Sequence, residues 1–165
     1  MGIGFGVFKK MENGSAVLKD NMLVNVGEAY IVVNLLPEGA EERGRSYETL
    51  KLKMFGGPGN GEVYEFNLDK IKQEDKDILI GRTPDCDVRI NDKLLSKIQS
   101  HVKLQYNHNK NDQQSQGLLQ WTLYDGYKGK SSTNGTWLYI NEDSLLTDDV
   151  VFKANQTIFS CKILN

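Results

Sequence analysis

The sequence predicts an all-β protein, an antiparallel β-sandwich with an N-terminal β-hairpin extension. Segments rich in Val, Ile, Tyr, Phe, Trp and Thr alternate apolar and polar residues with period two, as half-buried strands do. Clusters of Gly, Asn, Asp and Ser separate them at strand-length intervals, the rhythm of antiparallel sheets joined by short turns. No stretch carries a long apolar stripe at helical spacing, so helices are expected to be short or absent.

Taken in chain order, the first strand-like runs are "FGVFKK" at 5–10 and "AYIVVNLL" at 29–36, around a turn at Asn13-Gly14. The charged, Gly-containing "PEGAEERGRS" at 37–46 has nothing to bury and reads as a linker between an extension over 1–36 and a main domain over 47–165. In the main domain, strands are expected in "TLKLKMF" (49–55), "EVYEFNL" (62–68), "ILIGR" (78–82) and "DVRI" (87–90). They continue in "HVKLQY" (101–106), "LQWTLY" (119–124), "TWLYI" (136–140) and "TIFSCKIL" (157–164). Turn residues gather at 56–62, 110–117 and 125–132, and "LDKIKQEDKD" at 68–77 has room for a turn or two of helix at most.

With 165 residues and 39% hydrophobic content, the chain can bury one sizeable core. Its 20 basic and 22 acidic residues nearly cancel, so no global field gathers nucleic acid or an anionic membrane, and neither partner is expected. Any anion site must be local. Cys86 and Cys161 lie far apart without metal spacing, which fits reduced thiols, core packing for Cys86 and an intracellular setting; no metal and no cofactor is expected. The opening "MGIGFGVFKK" lacks the pattern of a secretory leader, so the Asn-x-Ser/Thr matches at Asn13, Asn134 and Asn155 read as chance. Catalysis is not expected either. "GIGFGVF" at 2–8 is one residue short of a kinase glycine loop, and Ser100 and His101, neighbours in a strand, point to opposite faces.

Three elements each leave or enter an expected strand: "IGRTPDCDVRI" at 80–90, "LLSKIQSHVKL" at 94–104 and "SSTNGTWLYI" at 131–140. Each has a bland reading: Arg82 as a surface arginine paired with Asp85 or Asp87, Ser96 as a turn cap, Lys97 as a solvated lysine, Asn134-Gly135 as a hairpin turn. Their order and spacing resemble the forkhead-associated (FHA) domain. That resemblance, over 47–165, implies a sandwich of the FHA/SMAD type that binds phosphothreonine peptides. On this resemblance Gly81-Arg82 matches the family's Gly-Arg, Ser96 its loop serine, and Asn134-Gly135 its Asn-Gly, with Thr133 alongside. Gln99 stands where the family has a histidine that braces the loops, and His101 falls two places later. The loop is also longer by "GYKGK" at 126–130.

The chemistry suits this assignment. A phosphothreonine carries about −1.5 to −2 charges and three acceptor oxygens. Arg82, Ser96, Lys97 and Thr133 supply a guanidinium, an ammonium and two hydroxyls to meet it, while Asn134 is suited to the peptide main chain. Gly81, Gln99 and Gly135 are expected to support the loops. The expected function is a signalling or scaffold adaptor that recognises phosphothreonine in partner proteins; the alternative is an FHA-like scaffold that binds partners through sheet faces or edges without phosphate. Without gaps, 18–35 also aligns with 146–163, and it resembles the family's closing hairpin more closely than that C-terminal segment does. The 1–36 segment is therefore read as a partial second FHA-like repeat, expected to dock on the main sandwich or to mediate self-association through its strands.

Overall fold

A computed structural model of the chain describes residues 6–11, 14–37, 49–107, 118–141 and 149–164. Most of the linker expected at 37–46 and all of the turn cluster at 110–117 lie outside the described residues, as does Asn13. Among the described residues thirteen strands and one helix follow one another: β1 (Val7–Lys10), β2 (Ser15–Val17), β3 (Leu23–Val26), β4 (Ala29–Leu36), β5 (Thr49–Phe55), β6 (Val63–Asn67), α1 (Leu68–Glu74), β7 (Ile78–Gly81), β8 (Val88–Arg89), β9 (Ser100–Asn107), β10 (Leu118–Asp125), β11 (Trp137–Tyr139), β12 (Val151–Ala154) and β13 (Thr157–Ser160). They form an eight-stranded sheet in the order β13-β12-β1-β11-β3-β4-β5-β6 and a five-stranded sheet in the order β2-β10-β9-β7-β8. Every pairing is antiparallel except that of β7 with β8.

Alternation in sequence becomes alternation of burial. β5 turns Leu50, Leu52 and Met54 into the core, opposite Leu35, Val33 and Ile31 of β4. The five-stranded sheet answers with Ile78, Ile80, Val102, Trp121 and Leu123, all buried in the same cluster. Each such side chain contributes roughly 1.5–3 kcal/mol by leaving water, which is what holds the two sheets face to face. The expected helical turns at 68–77 are α1, capped by Asn67, whose side chain accepts the Lys70 amide at 3.1 Å, and stopped at Asp75 in the left-handed region. Leu68 and Ile71 anchor it. No helix among the described residues is long and apolar enough to cross a membrane.

The N-terminal segment differs from an appended hairpin. β1, β3 and β4 lie inside the large sheet, with β1 between β12 and β11 and with β3–β4 between β11 and β5; β2 joins the edge of the small sheet beside β10. The physical reason is the apolar face of β3–β4, since Val24, Val26, Ile31, Val33 and Leu35 supply core that no exposed extension could bury. Self-association through these strands, expected from the sequence, finds both edges of β1, β3 and β4 already paired within the chain.

Candidate functional site

The residues singled out from the sequence lie in loops that leave β7, lead into β9 and lead into β11. Gly81 ends β7 where the chain passes close to the next loop: a Cβ there would lie 2.3 Å from the Lys97 carbonyl oxygen and 2.9 Å from Ile98 Cα. Only glycine fits. The Lys97 carbonyl in turn accepts the Arg82 amide at 3.2 Å and the Thr83 hydroxyl at 3.1 Å, so the Arg82 and Lys97 segments are laced together through main chain. Cys86, a buried free thiol, points at the same carbonyl at 3.4 Å. Both charged side chains stay at the surface. Among the described residues neither Arg82 nor Lys97 has a carboxylate partner; Asp87 instead pairs with Lys76 at 3.1 Å and accepts the Leu79 amide at 2.9 Å.

The second and third loops meet directly. Ser96 Oγ accepts the Thr133 amide at 2.8 Å and lies 3.1 Å from Thr133 Oγ1, which brings two hydroxyls to one point at the surface. Asn134 Nδ2 donates to the Leu94 carbonyl at 2.8 Å, which fixes the amide and leaves its Oδ1 as an open acceptor. The Asn134 carbonyl accepts the indole N–H of the buried Trp137 at 2.9 Å. Asn134-Gly135 is not a hairpin turn: β10 lies in the small sheet and β11 in the large one, so this corner carries the chain between layers. Gly135 makes the crossing at φ +79, and a Cβ there would come 2.7 Å from Lys10.

Gln99 ties the loops from below. It is fully buried, accepts the Ser96 amide at 3.1 Å through Oε1 and donates from Nε2 to the Gly135 carbonyl at 2.8 Å. One side-chain amide thus accepts from one loop and donates to the other. His101, on the same side of β9, is buried, donates from Nδ1 to the Gly126 carbonyl at 2.7 Å and stacks on Tyr124 with centroids 5.1 Å apart. It braces the long 126–130 loop rather than the Ser96 loop.

Sequence reasoning passed over Asp125, whose carboxylate accepts the Ser132 amide at 3.0 Å, the Ser132 hydroxyl at 2.5 Å and the Thr136 hydroxyl at 2.7 Å. Three donors on one carboxylate hold both flanks of Thr133-Asn134. Its signal was an Asp before a Gly in a turn cluster, which every surface turn shares. Leu94 contributes only a carbonyl, for which no side-chain signal exists.

The arrangement is a rigid corner with two surface cations, a pair of hydroxyls and one oriented amide, suited to an anion attached to an extended peptide. A search of curated proteins and one of solved structures each found no match. Residues 78–158, which carry all three loops, match the family model described as FHA domain. FHA domains are interaction modules that bind phosphorylated peptides, and residues 78–158 of this chain match that family.

Proposed function

We propose that the corner at Arg82, Ser96, Lys97, Thr133 and Asn134 binds phosphothreonine in partner proteins, making the chain a signalling or scaffold adaptor. The observation that carries this reading is the Ser96–Thr133 hydroxyl pair at 3.1 Å, held at the surface beside an Asn134 whose Nδ2 is already committed to Leu94. Phosphate oxygens would take the hydroxyl donors and the Arg82 and Lys97 charges, while Asn134 Oδ1 accepts a peptide N–H and sets the chain's course. Gly81, Gln99 and Gly135 support the site by close approach and by the buried bracket rather than by contact with phosphate. The two free thiols suit an intracellular setting.

Isothermal titration with phosphothreonine peptides and their unphosphorylated counterparts tests this. A hydrogen bond to a charged group contributes about 1.5–3 kcal/mol, so Arg82→Ala is expected to weaken binding about ten- to a hundredfold while leaving the fold intact. Binding is also expected to fall with rising salt, because the site is exposed and screened. Equal affinity for phosphorylated and unphosphorylated peptides would replace this reading with a scaffold that ignores phosphate. Paired phosphothreonine and phosphoserine peptides test the finer point; a pocket for the threonine methyl favours the former by about 0.8 kcal/mol, a few-fold in affinity.

A further inference from the structure

Two hairpins in the large sheet are built alike, 128 residues apart. β3 and β4 pair as Leu23↔Val32, Val24↔Ile31, Asn25↔Tyr30 and Val26↔Ala29; β12 and β13 pair as Val151↔Ser160, Phe152↔Phe159, Lys153↔Ile158 and Ala154↔Thr157. Every one of these pairs maps onto its counterpart by the same shift. So do the left-handed residues, Asn21 (φ 63) onto Asp149 (φ 62) and Gly27 (φ 57) onto Asn155 (φ 54). The closing bonds follow suit: the Asn21 amide donates to Val33 and the Val33 amide to Met22, as the Asp149 amide does to Cys161 and the Cys161 amide to Val150.

β1 and β11 extend the correspondence. They pair antiparallel about Lys9↔Leu138, flanked symmetrically by Met11 N donating to the Thr136 carbonyl and Ile140 N to that of Val7. A local twofold axis through Lys9 and Leu138 therefore relates β1 to β11 and each hairpin to the other. Each strand is flanked by the hairpin that follows the other strand: β11 takes β3 (Trp137↔Asn25) and β1 takes β12 (Phe8↔Lys153). The symmetry ends at the hairpins' outer edges. β4 is covered by β5, while β13 ends the sheet among the described residues. The consequence is visible in exposure: Ile31 is 2% exposed, whereas Phe159, its counterpart, is 43% exposed, and Ile158 beside it reaches 63%.

We propose that β13 is an acceptor edge for a strand of a partner chain with the chemistry of β5, that is, an extended segment with apolar residues at alternate positions. It would add antiparallel to β13 as β5 adds to β4, where Ile31↔Met54, Val33↔Leu52 and Leu35↔Leu50 form the register. Its apolar residues cover Phe159 and Phe152, and its backbone satisfies the open edge. Nothing in β13, "TIFS", opposes such pairing, since it carries neither charge nor proline.

The test uses the full chain and a fluorescent peptide of residues 47–57, which contains β5. Saturable binding is expected, weakened at least about tenfold by Phe159→Asp, because a buried aromatic contact is lost and a charge is placed against the strand. The same peptide N-methylated at consecutive residues across 49–55 is expected not to bind, since neither of its edges then keeps the amide donors that strand pairing needs. Binding that Phe159→Asp leaves unchanged would mean that the peptide displaces β5 itself, and would overturn the proposal. So would no saturable binding of the peptide, or a concentration-dependent dimer of the chain abolished by Phe159→Asp without peptide binding, which assigns the edge to a second copy.

Discussion

Gln99→Met isolates the buried bracket beneath the loops. Methionine keeps the length and nearly the volume of glutamine, so the fully buried site is not left as a cavity and the change removes hydrogen bonding alone. Two main-chain groups lose their partner: the Gly135 carbonyl, bonded at 2.8 Å in a buried position, and the Ser96 amide, bonded at 3.1 Å in a partly buried one. A buried polar group left without a partner costs about 1–3 kcal/mol. The carbonyl carries most of that cost, and the amide, nearer water, a smaller part, for a loss of about 2–4 kcal/mol. Set against a typical total of about 5–15 kcal/mol, this is a large fraction that leaves the domain folded. Urea unfolding followed by the fluorescence of the buried Trp121 and Trp137 measures it, with an unchanged slope expected. Phosphopeptide affinity should fall in parallel, because Gln99 is what fixes the Ser96 loop relative to Gly135. A loss below about 0.5 kcal/mol with unaltered affinity would show that the bracket neither stabilises the fold nor positions the site, and would refute the reasoning.

Gly81→Ala brings a methyl within 2.3 Å of the Lys97 carbonyl oxygen, main chain against main chain, and is expected to cost about 1–3 kcal/mol in thermal unfolding. Asp125→Ala frees the Ser132 amide and two hydroxyls, and titration should find peptide affinity reduced even though Asp125 is not among the residues proposed to contact phosphate. Lys153 lies over the Trp137 ring at 4.4 Å and bonds Asn25, and its burial lowers its pKa from 10.5 to about 8. Between those values the unfolded chain holds a proton that the folded one has released, so this lysine makes stability rise with pH from about 8 to 10.5. Lys153→Met is expected to flatten that rise in urea melts taken across the window; an unchanged slope would mean that the amine is solvated.

What the sequence made legible was whatever alternation alone could carry. β5 coincides with its expected strand, and β7, β9 and β10 fall within about two residues of theirs, because each buries every second side chain against the other sheet. β3 escaped this reading because of Asn25. That residue is 1% exposed, and its amide donates to the carbonyls of Gly27 and Ala29 at 3.0 Å each, so a polar side chain sits in an interior strand without breaking it. The loop residues could be found by type and spacing, but Asp125 and Leu94, which hold them, act through a common turn residue and a main-chain carbonyl. Periodicity also could not decide which hairpin lies beside Trp137, since 18–35 and 146–163 carry nearly the same pattern. The choice is made in the core. Facing the small sheet, β3–β4 offers Val24, Val26, Ala29, Ile31 and Val33, whereas the same places in the other hairpin hold Phe152, Ala154, Thr157, Phe159 and Cys161. Seating the second set there would bury the Thr157 hydroxyl where Ala29 is 0% exposed and force two phenyl rings into the space of a valine and an isoleucine. A buried hydroxyl without a partner and an overpacked pair each cost about 1–3 kcal/mol, so the β3–β4 hairpin holds the inner position and β12–β13 is left at the edge.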